Sequence, residues 1–203
     1  MLGGAVARRK GIRVGLLVCL LWLVASVAIA DRSPRPWVQG TAAVLAGIAG
    51  TTLPDLDLVL PLDHRSGLTH SLLPVALACL ATRWRPVAAG LAIGIGLHLA
   101  ADSFPNAMRG YATVKLPVAG SIGATASYAW LGVQAVVASG AGAVLLAASL
   151  PPRIAMATAA VLAMVGIAYL FATDGGWGAL AIYAAFGWLA VRRRAGGRPG
   201  PPV

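Results

Sequence analysis

Three short motifs, LPDLD (53–57), DHRSGLTHS (63–71) and HLAAD (98–102), follow one another between apolar runs. They contain all three histidines of the chain, His64, His70 and His98, and four of its six carboxylates, Asp55, Asp57, Asp63 and Asp102; the chain has no Glu. Residues this scarce, gathered between apolar segments, point to a shared metal centre rather than a decorated surface.

The surroundings of the motifs set the fold class. The 203 residues are 59% hydrophobic and 11% charged, with a mean hydropathy of +0.81, so a water-soluble globule would lack the polar surface to cover itself. The expectation is an all-α fold, a polytopic transmembrane bundle of six or seven helices in one integral membrane domain spanning 1–203. Sixteen Lys and Arg against six Asp would also suit nucleic acid, but the basic residues flank apolar runs in short groups. That placement suits orientation signals and anionic headgroups, so membrane lipids are the expected partners and nucleic acid is not.

Working outward, Arg8, Arg9, Lys10 and Arg13 precede an apolar run over 14–30. It reads as a first membrane helix, with a cleaved signal peptide as the alternative because AIA precedes Asp31. Residues 31–36 form a loop, and 38–53 a second helix that Pro54 ends, with Gly40, Ala43, Gly47 and Gly50 permitting close helix contact. Thr69 is expected to cap a short third helix over 70–82. A fourth helix over 87–102 carries His98 and Asp102 at i and i+4, on one face. The less apolar segment 103–127 reads as an interfacial loop or a re-entrant cover over the site. The metal-site half thus spans about 37–127. Further helices are expected over 128–150, 154–172 and 177–191, and a disordered tail over 195–203. Cys19 and Cys79 read as small core residues. A seven-span chain with a cytoplasmic N-terminus would put Arg192, Arg193 and Arg194 outside, against the positive-inside tendency. Demoting the third helix would repair that bias but would send His98 and Asp102 to the side opposite Asp55 and His70, and the clustering outweighs the charge count.

Left unpaired near a helix centre, Asp55, Asp57 and Asp102 would together cost on the order of 8–10 kcal/mol. Arg65 alone does not neutralise three acids, whereas a divalent metal does. Asp and His donors without thiolate favour zinc or manganese over iron–sulfur chemistry, and imidazole disfavours Mg²⁺. A helix-capping role explains any one of these residues singly, but not D-x-D, H-x₅-H and H-x₃-D together at successive helix ends.

LPDLD, HRSGLTHS and LHLAAD, in that order between apolar helices, resemble the YdjM-type family of bacterial and archaeal membrane-bound metal-dependent hydrolases, with its LPDxD, HRGxTHS and HxxxD pattern. The resemblance covers roughly residues 47–117. It implies that Asp55, Asp57, His70, His98 and Asp102 are metal ligands or their immediate supports, with His64 and Arg65 beside them. The extra residue in HRSGLTHS lengthens the spacing from His64 to His70 and demotes His64 from the ligand set. The family usually places a histidine near its N-terminus, and this chain has none around residues 10–14.

The resemblance implies a hydrolase of the cytoplasmic (inner) membrane of a prokaryote, acting on a phosphoester of a lipid-like substrate at the membrane interface. Arg65 would clamp the phosphate, and whichever of Asp57 and Asp102 is not coordinated would act as base. Two other classes compete: an ion or proton transporter, which would distribute titratable groups across the bilayer, and a non-catalytic scaffold, which would leave the cluster unexplained.

Overall fold

The computed structural model describes residues 2–105 and 107–196. It is built almost wholly of helices: α1 (Leu2–Arg32), α2 (Pro36–Gly50), α3 (Leu73–Cys79), α4 (Arg85–Asp102), α5 (Ala124–Ser149), α6 (Pro152–Ala172) and α7 (Gly176–Gly196). The strands among the described residues are the two-residue pair β1 (Lys115–Leu116) and β2 (Gly120–Ser121). The stretches Val14–Arg32, Thr82–Asp102, Ala124–Ser149 and Pro152–Ala172 are long and apolar enough to cross a membrane.

Burial picks out α4 as the central helix. Its apolar window is 78% buried, against 22–28% for the other three. The outer helices present apolar side chains outward, among them Leu17, Val24, Val136, Met164 and Phe171. Around α4 the packing depends on absent side chains. A Cβ on Gly90 would collide with the backbone of Ala43, and one on Gly94 with the backbone of Gly47 and Gly50. The pairing of Ala43 with Gly90 and of Gly47 and Gly50 with Gly94 sets α2 and α4 parallel, with their C-terminal ends together. Gly96 and Gly142 make the same close approach between α4 and α5.

The expected helices correspond to observed ones, with shifted ends. Pro54 does not end α2, which stops at Gly50. It sits instead early in a separate 3-10 turn, Leu53–Leu58, where a missing N–H is tolerated. The third helix begins three residues later than expected, at Leu73, with Pro74 in its first turn. Thr69 is not its cap; the hydroxyl points to Asp57 and the Ser66 carbonyl instead. Residues 71–82 nevertheless carry the chain to the far end, where Asp31 at the end of α1 accepts from Trp84 Nε1 at 3.0 Å and pairs with Arg83 at 3.1 Å. As a result α4 returns His98 and Asp102 to the end that holds Asp55 and His70.

Of the cysteines, Cys19 is buried with its thiol on the Ala49 carbonyl, whereas Cys79 is exposed on α3, not in the core. The junction before Asp31 lies inside α1. Of the tail, Ala195 and Gly196 belong to α7, and the expectation for 197–203 falls outside the described residues.

The loop after α4 folds back over the site end. Lys115 and the 65–67 segment exchange backbone hydrogen bonds, Lys115 N–H to Arg65 O at 3.0 Å and Gly67 N–H to Lys115 O at 2.7 Å. The Val114 N–H donates to Ser127 Oγ at 2.9 Å. This anchors the β1–β2 hairpin, whose tip residue Val118 is fully exposed at φ 71°.

The glycine contacts make a direct prediction. Gly90→Ala should destabilise the protein by at least ~1–3 kcal/mol, the usual cost of overpacking, because the obstacle is backbone. Gly140→Ala, with nothing within 4 Å of the new methyl, should be neutral or slightly stabilising. Thermal melts of both variants in detergent check this, and equal losses would contradict it.

Candidate metal centre

Each motif arrives on a different element. The 3-10 turn after α2 turns Asp57 inward, 1% exposed, and leaves Asp55 half-buried. His70, fully buried, stands in the turn before α3, with its carbonyl accepting from Trp130 Nε1 of α5 at 2.8 Å. His98 and Asp102 project from the last turns of α4, and Tyr169 reaches over from α6.

Asp57 uses its two carboxylate oxygens differently. Oδ2 accepts from Ser66 N–H at 3.0 Å and Thr69 Oγ1 at 3.3 Å, and lies 3.3 Å from His70 Nδ1. Oδ1 has no hydrogen-bond partner, with His64 Nδ1 at 3.6 Å. Burial alone would raise the Asp57 carboxyl. The histidines 64 and 70 beside it and the Ser66 N–H outweigh that effect and hold it well below the ordinary carboxylate range. It is therefore ionised at neutral pH, as a ligand or an orienting group must be.

The two buried histidines are fixed in the same sense. His70 places Nδ1 against Asp57 Oδ2, and His98 places Nδ1 2.9 Å from the Thr51 carbonyl and 3.1 Å from the Tyr169 hydroxyl. A carbonyl only accepts, so His98 Nδ1 carries a proton, whereas His70 Nδ1 has both Asp57 Oδ2 at 3.3 Å and the Thr69 hydroxyl at 3.1 Å beside it. Both rings turn Nδ1 to an oxygen of the protein and Nε2 into the cluster, the orientation in which a metal-bound imidazole gives its other N–H to an oxygen.

These Nε2 atoms converge. His70 Nε2 and His98 Nε2 lie 3.3 and 3.6 Å from Asp102 Oδ2, and His98 Nε2 is 3.9 Å from Asp55 Oδ1. None of His70 Nε2, His98 Nε2 and Asp102 Oδ2 makes a hydrogen bond, although all are buried. Orphaned atoms of this kind cost ~1–3 kcal/mol each. A tetrahedral ion with bonds of about 2.0–2.1 Å sets its ligand atoms about 3.3 Å apart, close to the spacings seen here. Asp55, His70 and His98 form one group able to hold a metal, and Asp55, Asp57 and His64 form another, each with ligand atoms within 4.8 Å of one another. The residues present thus fit a divalent metal.

Two expectations change. His64 is not set apart by the inserted residue: its ring stacks on Tyr111 at 4.0 Å and faces Asp57. The turn that brings it there passes through Arg65, which adopts φ 57°. Arg65 itself is not a free clamp. It is 7% exposed and donates through Nη2 to Asp102 Oδ1 at 2.9 Å and through Nη1 to the Ala112 carbonyl at 2.6 Å. Its role here is to hold Asp102 so that Oδ2 faces the histidines. Thr51, Thr69, Trp130 and Tyr169 were not expected at the site. Only Thr69, inside the THS motif, carried a sequence signal, whereas the others reach the site through packing.

Searches against protein families, curated proteins and solved structures find no match to this chain.

Replacing Arg65 by Met would leave Asp102 Oδ1 buried without its cation. Because Asp102 is one-fifth exposed, the expected loss lies at the low end of the ~3–5 kcal/mol typical of a broken buried pair. Arg65→Lys should recover only part of it, since an ammonium does not reproduce the forked contact to Asp102 and Ala112. Chemical or thermal unfolding of the two variants checks the order, and a neutral Arg65→Met would contradict this role.

Proposed function

We propose that this chain is a polytopic helical membrane protein of a prokaryotic cytoplasmic membrane, and that its Asp/His cluster is the metal centre of a hydrolase. The supporting observation is the shared orientation of the His70 and His98 rings. Both commit Nδ1 to an oxygen and turn a buried, unpartnered Nε2 toward Asp55 and Asp102. Asp55, His70 and His98 would hold the ion, zinc or manganese by donor type. Bound there, it would supply Lewis acidity to a phosphoryl oxygen and lower the pKa of water.

The residues around the ion divide the remaining work. Asp102 Oδ2 would accept the proton of the attacking water as the new P–O bond forms and return it to the leaving alkoxide oxygen as the ester P–O bond breaks. Arg65 keeps that carboxylate in place through Oδ1. Asp57 and the Thr51 carbonyl orient the two imidazoles.

A lipid-like phosphoester fits the setting. Beside Ser66 a recess of about 390 Å³ is lined by Asp63, Lys115 and the apolar residues Pro61, Leu116 and Val118. Val59, Leu60 and Val118 are exposed around it, an apolar rim suited to a bilayer surface. The grouping of the acids and imidazoles at one end of the bundle disfavours a path across the membrane.

Metal analysis of the purified full chain tests the proposal. His70→Ala and His98→Ala should each lose the bound metal, whereas Asp63→Asn, outside both ligand groups, should keep it. Unchanged metal content in both histidine variants would overturn the centre.

A further inference from the structure

Asp57 Oδ1 is left over by the centre described above. Its partner oxygen is saturated by Ser66, Thr69 and His70, but Oδ1 is buried and makes no hydrogen bond. The nearest titratable atom, His64 Nδ1 at 3.6 Å, is also buried and also without a hydrogen-bond partner. Two adjacent orphans on a side chain 0% exposed and another 16% exposed are hard to leave in a folded protein without a third species between them.

That species has the features of a cation. Asp57 Oδ1 has no N–H or O–H directed at it, and a carboxylate oxygen without a donor is matched by a positive charge. At 3.6 Å His64 Nδ1 and Asp57 Oδ1 lie beyond direct hydrogen-bond distance. The third donor to the same space is Asp55, whose carboxylate belongs at once to the group with Asp57 and His64 and to the group with His70 and His98. A carboxylate has two oxygens, so one residue can serve both groups.

His64 is held for this role from both sides. Its ring lies on Tyr111 at 4.0 Å and 20°, and its carbonyl accepts from Lys115 Nζ at 2.9 Å. Stacking fixes the plane of the ring and the Lys115 contact fixes its backbone, which preorganises Nδ1 toward Asp57. Among the described residues, Arg65 pairs with Asp102, and no Lys or Arg forms an ion pair with Asp55 or Asp57.

We propose a second divalent-metal site formed by Asp55, Asp57 and His64, with Asp55 bridging it to the ion held by His70 and His98. The inference rests on the metal centre proposed above. With both sites filled, two dications outweigh the combined charge of Asp55, Asp57 and Asp102, so the centre is net positive, and Arg65 adds to that charge. A phosphoester anion is then the complementary substrate class, clamped between two ions rather than by Arg65.

The test uses the full chain in detergent, stripped of metal and reloaded with Mn²⁺ alone, with bound manganese counted after desalting and its electron paramagnetic resonance recorded. The wild type should bind two ions per chain and show an exchange-coupled spectrum. His64→Ala should bind one ion and show the isolated hyperfine sextet, while His98→Ala should also lose the coupling. One ion per chain in the wild type, uncoupled and unchanged by His64→Ala, would overturn the second site and leave the first standing. No bound manganese in the wild type, with zinc equally absent, would overturn the first centre and this one with it. If His64→Ala does not fold, the wild-type count and spectrum decide between one site and two.

Discussion

The contact between α2 and α4 is the constraint on which the rest depends. Between apolar helices in lipid there is no hydrophobic drive to associate, so close packing and interhelical polar contacts must hold them. Gly90 and Gly94 let the α4 backbone settle onto Ala43, Gly47 and Gly50 of α2. Because the two helices run parallel, their C-terminal ends coincide. There the Thr51 carbonyl, freed at the end of α2, meets His98 Nδ1 of α4, and the turn that follows sets Asp55 near His98 Nε2. Separating the two helices by the width of a methyl group would break both contacts.

Electrostatics then shapes what the packing has assembled. Each carboxylate is half satisfied by protein and half left open. Asp57 gives Oδ2 to Ser66, Thr69 and His70 and keeps Oδ1 free; Asp102 gives Oδ1 to Arg65 and keeps Oδ2 free. A structural salt-bridge network would close such atoms in pairs. Here the unclosed atoms of Asp57, Asp102, His70 and His98 are gathered at one end of the bundle, within reach of a shared ion.

Much of this was legible in the chain. Long apolar runs marked the helices, and the small residues of α2 marked its contact face. The joint occurrence of D-x-D, T-H-S and H-x₃-D named Asp55, Asp57, His70, His98 and Asp102, which do lie together. What failed was local geometry. Spacing alone pushed His64 outward, because a linear count does not register that Arg65 turns through a left-handed conformation and that the His64 ring stacks on Tyr111 beside Asp57. Arg65 looked like a free cation because its partners, Asp102 and the Ala112 carbonyl, are thirty-seven and forty-seven residues away. Tyr169 and Trp130 sit in ordinary apolar helices, where one aromatic among many carries no signal until α5 and α6 pack against α4.

The account stands on a metal held by imidazole and carboxylate at this end of the bundle. X-ray absorption at the edge of the metal that copurifies with the chain tests that most directly. The account predicts a nitrogen and oxygen shell at about 2.0–2.2 Å with the multiple scattering of imidazole, lost in His98→Ala. A sulfur shell at about 2.3 Å, or no protein-bound metal at all, would contradict it.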